Sequence, residues 1–370
     1  MLLSLLKVLF QTPLPLRDRW RWTVRMARWL LDSRFPERKP EMASAFASLP
    51  LDALHIVDRR ETQSNATHKK NSRNTSQVEK YNPICLCMVR NDKERMRLFL
   101  QHYRKLGVTH FAIVDNDSTD GTRELLASQP DVDLFLMKEP FSGVRKNAVF
   151  NRLLARYGEG HWYLVVDSDE LLCYHGMEQH PLPEMVLRAE MLGHETLRGY
   201  MVDMYAEHTD LSRTLCAEDI ERTCCLYDTD SYELWDIPLS NSVWGGPRQR
   251  ALGNKQLLMK TPLFRHTRQN FIASCHYLWP APTSAPYVFA LRHYKLIGAQ
   301  DVDNYRERVK QKTMMAGSME YYNYHIEEPH PTAPNFHYDR TAQWENNESA
   351  LETLPYLLNI FTADHTATIC

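Results

Sequence analysis

The chain has 370 residues, of which 43% are hydrophobic and 24% charged, and its net charge is −2. That length suffices for one large domain or two ordinary ones with a core of their own, so no disulfide or metal is needed merely to fold. The near-neutral balance excludes a nucleic-acid binder, the lack of an apolar run of about 18 residues excludes an evident membrane-spanning helix, and 13 glycines without a repeat exclude collagen-like and most solenoid forms.

Residues 1–56 read as a basic amphipathic helical segment. The opening MLLSLLKVLF has no basic stretch before it and no small-residue cleavage site after it, which argues against a secretory signal peptide. In LRDRWRWTVRMARWLL (16–31), Arg17, Arg21, Arg25 and Arg28 fall on one helical stripe, and Trp22, Met26, Trp29 and Leu30 on another. Lys and Arg outnumber Asp and Glu by nine to three over residues 1–40. This pattern predicts peripheral contact with a membrane surface through residues 1–40. Its competitor is a helix packed on the rest of the protein with an Arg-rich outer face. Residues 57–80 are polar and nearly free of large apolar side chains, the composition of a linker. None of the eight cysteines forms a CxxC pair, so a zinc ribbon or thioredoxin-type motif is unsupported. Cys85 and Cys87 lie in a strand-like run and read as buried reduced thiols. The expected compartment is reducing: the cytoplasm, at the inner face of a membrane. In such a compartment Asn65 and Asn74, both in NxS/T patterns, are chance matches.

From residue 81 strands and helices alternate. ICLCMVR (84–90), THFAIVD (109–115), VDLFLM (132–137) and HWYLVVD (161–167) read as strands, and 93–106, 120–128 and 146–158 as the helices between them. Such alternation implies a mostly parallel sheet with crossover connections, whose ligands bind beyond the carboxyl ends of the strands. The loops after Arg90, Asp115, Met137 and Asp167 are therefore the ones to watch. Past residue 175 the strand-like stretches 196–205, 256–264 and 286–296 are separated by longer polar or aromatic segments. Residues 301–316 look helical, within a C-terminal extension spanning 301–370.

A DxD triplet alone decides nothing, because the chain contains five. VVDSDELL (165–172) places one at the end of the most apolar strand. Asp167 and Asp169, one residue apart, can face one cavity and offer oxygen ligands to Mn or Mg, which would bridge to a diphosphate. Glu170 reads as a supporting carboxylate, and the bland alternative is a solvated acidic turn. In IVDNDSTDGT (113–122), Ser118 to Thr122 are explained by a strand–cap–helix junction. Asp115 and Asp117 at the open edge are not. A carboxylate there can accept from a base imino N–H or a ribose hydroxyl.

Taken in order, ICLCMVRNDKE (84–94), IVDNDSTDGT (113–122), GVRKNAVFN (143–151) and VVDSDELL (165–172) resemble the glycosyltransferase family 2 superfamily. The closest branch is the one related to DUF23/family 92 enzymes, and the resemblance covers roughly residues 81–300. It implies an α/β GT-A fold, a Rossmann-like sandwich with a mostly parallel central sheet, that uses a nucleotide-diphosphate sugar and a divalent cation. Carried over residue by residue, it implies nucleotide contacts from Arg90, Asn91, Asp115, Asp117, Arg145 and Asn147, and metal ligation by Asp167 and Asp169. Arg145 or Lys146 would also neutralise diphosphate charge. SVWGGPRQR (242–250) resembles a GGxRxR segment, in which Arg248 and Arg250 would grip phosphate or an acidic acceptor. LRHYK (291–295) resembles a late HY segment. His293 is the expected third metal ligand, with His276 as the alternative and as a candidate on the acceptor side. An inverting transfer also needs a carboxylate base. Asp203, in GYMVDMY (199–205) where it ends a strand, is favoured over Glu218–Asp219 and Asp236.

The expected reaction moves a sugar to a hydroxyl of a glycan or lipid-linked acceptor. Two rivals stand: a nucleotidyltransferase of similar architecture, although MVRNDKE lacks the glycines of its phosphate loop, and a non-catalytic nucleotide-sugar binder.

Overall fold

The computed structural model describes residues 81–362, except 209, 211, 238–239, 254–255, 275, 280–284, 296 and 311–335. The basic segment 1–56 and the linker 57–80 therefore lie outside the described residues, as does much of the extension 301–370.

The first half follows the expected alternation. β1 (Ile84–Val89), α1 (Lys93–Lys105), β2 (Phe111–Asp115), α2 (Thr122–Ala127), β3 (Val132–Leu136), α3 (Gly143–Tyr157) and β4 (Trp162–Val165) succeed one another. β1 pairs in parallel with both β2 and β4, and β2 with β3. α3 starts three residues earlier than its apolar spacing predicts, because Ser142 caps it: its hydroxyl accepts from the Arg145 amide at 3.2 Å.

The second half extends the same sheet. It contributes β5 (Glu170–Cys173), α4 (Leu182–Met191), β6 (Thr196–Asp203), α5 (Ala217–Thr223), β7 (Leu226–Asp228), β8 (Tyr232–Ile237), β9 (Ser240–Gly245) and α6 (Gly246–Leu252). After these come β10 (Met259–Arg265), β11 (Phe271–Ile272), β12 (Leu278–Trp279), β13 (Tyr287–His293), α7 (Ala299–Lys310), β14 (Thr341–Gln343) and α8 (Asn347–Thr353). The eight-stranded sheet runs β3-β2-β1-β4-β10-β6-β13-β5. β10 lies antiparallel between β4 and β6, β13 is parallel to β6, and β5 closes the edge antiparallel to β13.

Strand alternation divides the core in two. Cys85, Cys87, Phe111 and Ile113 pack with Phe99 and Tyr103 of α1 and Met185 and Val186 of α4. Leu86, Met88, Ala112 and Val114 pack with Phe150 and Leu153 of α3. Burial pushes the Cys85 and Cys87 thiols well above their ordinary range, as expected of inert core thiols. The result is a mixed α/β, mostly parallel, Rossmann-like sandwich. Among the described residues no helix is long and apolar enough to cross a membrane.

Candidate active site at the carboxyl rim of the sheet

The centre of the site is set by strand register. In the sheet His293 is the partner of Asp203 on β6 and of Glu170 on β5, so three strand ends bring three polar side chains together. Nδ1 of His293 lies 2.6 Å from Asp203 Oδ1, and Nε2 lies 3.3 Å from Asp169 Oδ2. Burial lowers the imidazole pKa, but the Asp169 and Asp203 carboxylates outweigh it and raise the group above its ordinary value. Asp203 receives the fork of Arg248 as well, Nε at 2.7 Å and Nη2 at 3.0 Å. Burial opposes its charge, yet Arg248 and His293 hold its carboxyl well below the usual range. Glycine makes this junction possible. Gly245 has φ 114° and Gly246 φ 80°, and a Cβ on Gly245 would stand 2.0 Å from the Ser231 carbonyl oxygen.

The turn after β4 carries the acidic motif. Asp167 Oδ1 accepts from the Lys146 ammonium, and Oδ2 from Lys260 at 3.0 Å. The same Lys260 nitrogen lies 2.9 Å from Glu170 Oε1. Burial would raise the Asp167 carboxyl, but the two ammonium groups hold it well below the carboxylate range. Lys295 lies 3.6 Å from Asp169. Among the described residues, those spaced to ligate one ion are Asp169, Glu170 and His293, whose candidate ligand atoms all lie within 4.8 Å of one another. The donor set suits Mn or Mg. The Asp203 contact on Nδ1 leaves Nε2 as the nitrogen that could ligate an ion, an arrangement usual where a second carboxylate supports a metal-binding histidine.

Beside this cluster lies a cavity of about 170 Å³, lined at the strand ends by Arg90, Asn116 and Asp169 and roofed by Asn304, Tyr305 and Arg308 of α7. A buried ion-pair chain holds the roof. Arg95 of α1 donates to Asp92 at 2.9 Å and to Asp301 at 2.5 Å, while Asn304 donates to the Asn91 carbonyl at 3.0 Å. Asn116 is only 1% exposed. Its Nδ2 donates to the Met137 and Glu139 carbonyls at 2.9 and 2.8 Å, which fixes the amide, and its Oδ1 is buried with no hydrogen-bond partner. An acceptor held in this way has a use for an N–H or O–H donor.

The structure gathers some of the sequence candidates and scatters others. Arg90 and Asp169 line the cavity, and His293 joins Asp169. Asp115 is fully buried, and its carboxylate accepts from Arg123 Nε at 2.8 Å and from the Ser118 amide. Asp117, with φ 60°, receives the other end of the Arg123 guanidinium. Asn91, with φ 50°, ties its loop to Thr119 through a 2.7 Å hydrogen bond. Arg145 is exposed and donates to the Pro140 carbonyl, and Asn147 donates to that of Ala273. Lys146, between them, reaches the acidic motif instead. Arg248 and Arg250 both grip protein carboxylates, those of Asp203 and Asp228. Nδ1 of His276 lies 2.7 Å from the Met259 carbonyl, and His276 is not part of the ion-spaced trio.

Sequence reading missed Asn116, Lys260, Lys295 and Arg95. Strand parity is the signal that finds Asn116: it lies two residues beyond Val114, on the α3 side, whereas Asp115 follows Ile113 toward the other side, where Arg123 meets it.

No family model matches the chain, and no curated protein does. Among solved structures it is similar to TarS 1-349 of S. aureus, at 12% identity and a TM-score of 0.27, over 66% of each chain. It is also similar to HddC from Yersinia pseudotuberculosis, at 11% identity and a TM-score of 0.28, over 50% of this chain and 76% of that one. A third likeness is to apo-UDP-glucose pyrophosphorylase, at 11% identity and a TM-score of 0.23, over 49% of this chain and 77% of that one. Likenesses this slight say nothing about activity, which rests on the site itself.

Proposed function

We propose that the chain is a metal-dependent glycosyltransferase that moves a sugar from a nucleotide-diphosphate donor to a hydroxyl of a glycan or lipid-linked acceptor. The observation that supports this most is the pairing of an ion-spaced trio, Asp169, Glu170 and His293, with a cavity at the same sheet rim. In this reading Asn116 Oδ1 accepts from the base or ribose, and Arg90 flanks the nucleotide. Asp115, with Arg123 and Ser118 on its oxygens, shapes the loop from behind. The cavity is smaller than the about 300–1,000 Å³ of enclosed ligand sites, so a whole donor requires α7 to give way.

Asp169, Glu170 and His293 would hold Mn or Mg. Bound there, the ion would stabilise charge developing on the leaving diphosphate. Lys146, Lys260 and Lys295 add positive charge beside the same place. Asp203 has contacts on both oxygens, so we assign it the orientation of His293 rather than removal of the acceptor proton. The basic segment 1–40 would bring the enzyme to a membrane surface carrying the acceptor.

The test is a donor screen with Mn and Mg that scores nucleotide-sugar hydrolysis, in the wild type and in Asp169→Ala. Cation-dependent release of nucleoside diphosphate that vanishes in the variant supports the proposal. Release of pyrophosphate when a nucleoside triphosphate and a sugar 1-phosphate replace the donor, or turnover unchanged in the variant, overturns it.

A further inference from the structure

The acidic cluster arrives with its own counter-charges. Asp167 faces Lys146 and Lys260, Glu170 faces Lys260, Asp169 faces Lys295, and Asp203 faces Arg248. Among the described residues and the ion pairs just named, four carboxylates thus meet four side-chain cations, and a histidine that ligates a metal does so neutral. Lys146, Lys260 and Arg248 are buried while Asp167 and Lys295 are about a quarter exposed, so water screens the balance only in part. A bare dication entering here would leave two surplus positive charges in a poorly solvated place, which is costly. A dication together with a diphosphate diester, which carries two negative charges, leaves the balance unchanged.

We infer that Lys146 and Lys260 are resident counter-cations of the acidic site, which make it accept a divalent cation only together with a diphosphate. The inference rests on the metal site proposed above and adds the condition under which that site loads. By linkage, the cation and the diphosphate must raise each other's affinity by the same factor, and couplings of about 5–150-fold are usual. Removing one ammonium shifts the balance to one surplus negative charge and frees carboxylate oxygens. The variant should then take the ion alone.

The experiment titrates Mn into the full chain and reads free Mn by electron paramagnetic resonance. It is run alone and with UDP, GDP or inorganic pyrophosphate, after subtraction of the Mn bound by each in solution. The proteins are wild type, Lys260→Met and Lys146→Met, with circular dichroism as the folding control. Two lysines give two independent tests should one variant fail to fold. The expected result is weak Mn binding by the wild type alone, a gain of about tenfold or more with a diphosphate, and a similar gain in the folded variants without any diphosphate. If the wild type binds Mn equally well with and without diphosphate, or the variants bind Mn alone no better than wild type, the inference falls and the metal site stands. If no protein binds Mn under any condition, the metal site falls with it.

Discussion

The imidazole Nδ1 of His293 stands 2.6 Å from Asp203 Oδ1, across a parallel strand pair that places the two residues opposite each other. This contact leaves Nε2 facing Asp169. Replacing Asp203 with Asn keeps the shape and removes the charge that orients and polarises the ring. Mn affinity, measured in the presence of diphosphate, is expected to fall by about 10–100-fold.

The same pair gives a pH dependence with a definite sign. The His293 pKa is raised in the folded chain. Its contribution to stability is therefore fully present below the unfolded value, about 6.5, and is lost as pH rises through the folded value. The carboxyls of Asp169 and Asp203 are depressed, so theirs is present above about pH 4 and is lost as pH falls through their folded values. Urea denaturation of metal-free protein across pH should show wild type losing stability above pH 6.5 relative to His293→Gln. Parallel curves for the two proteins would contradict the assignment.

Asn116 has two tasks that substitution separates. Asn116→Ala strands the Met137 and Glu139 carbonyls and removes Oδ1, so a stability loss of about 1–3 kcal/mol is expected alongside weaker nucleotide binding. Calorimetry with nucleoside diphosphate should show the affinity falling about tenfold, while inorganic pyrophosphate binds as before. Equal losses for both ligands would move Asn116 from the base or ribose to the phosphates.

Arg95 joins α1 to α7 through Asp301 and also holds Asp92, whose carboxyl burial raises. Arg95→Met leaves two buried carboxylates without their partner. Denaturation should show a cost of about 3–5 kcal/mol. Asp301→Asn in the Arg95→Met background should recover part of it, because one buried charge is then gone.

How much of this was legible beforehand follows from locality. The alternation through Asp167, the DSDE turn and the helix starts are short-range signals, and β1 to β4 follow them closely. Ser142 moved the start of α3, because a cap outweighs apolar spacing by a few residues. His293 and Asp203 were each recognisable as polar residues closing apolar strands. Their contact across 90 residues was not, since it depends on β13 inserting beside β6.

The parallel half of the sheet, its carboxyl rim and the acidic motif there follow from hydrophobic period and turn chemistry, which are written locally. Which cations meet that motif depends on long-range packing. β10 runs antiparallel, so its first residues, not its last, arrive at the rim, and Lys260 comes to Asp167 by that polarity. Strand direction is chosen by how the whole chain closes its core, and no local pattern records it.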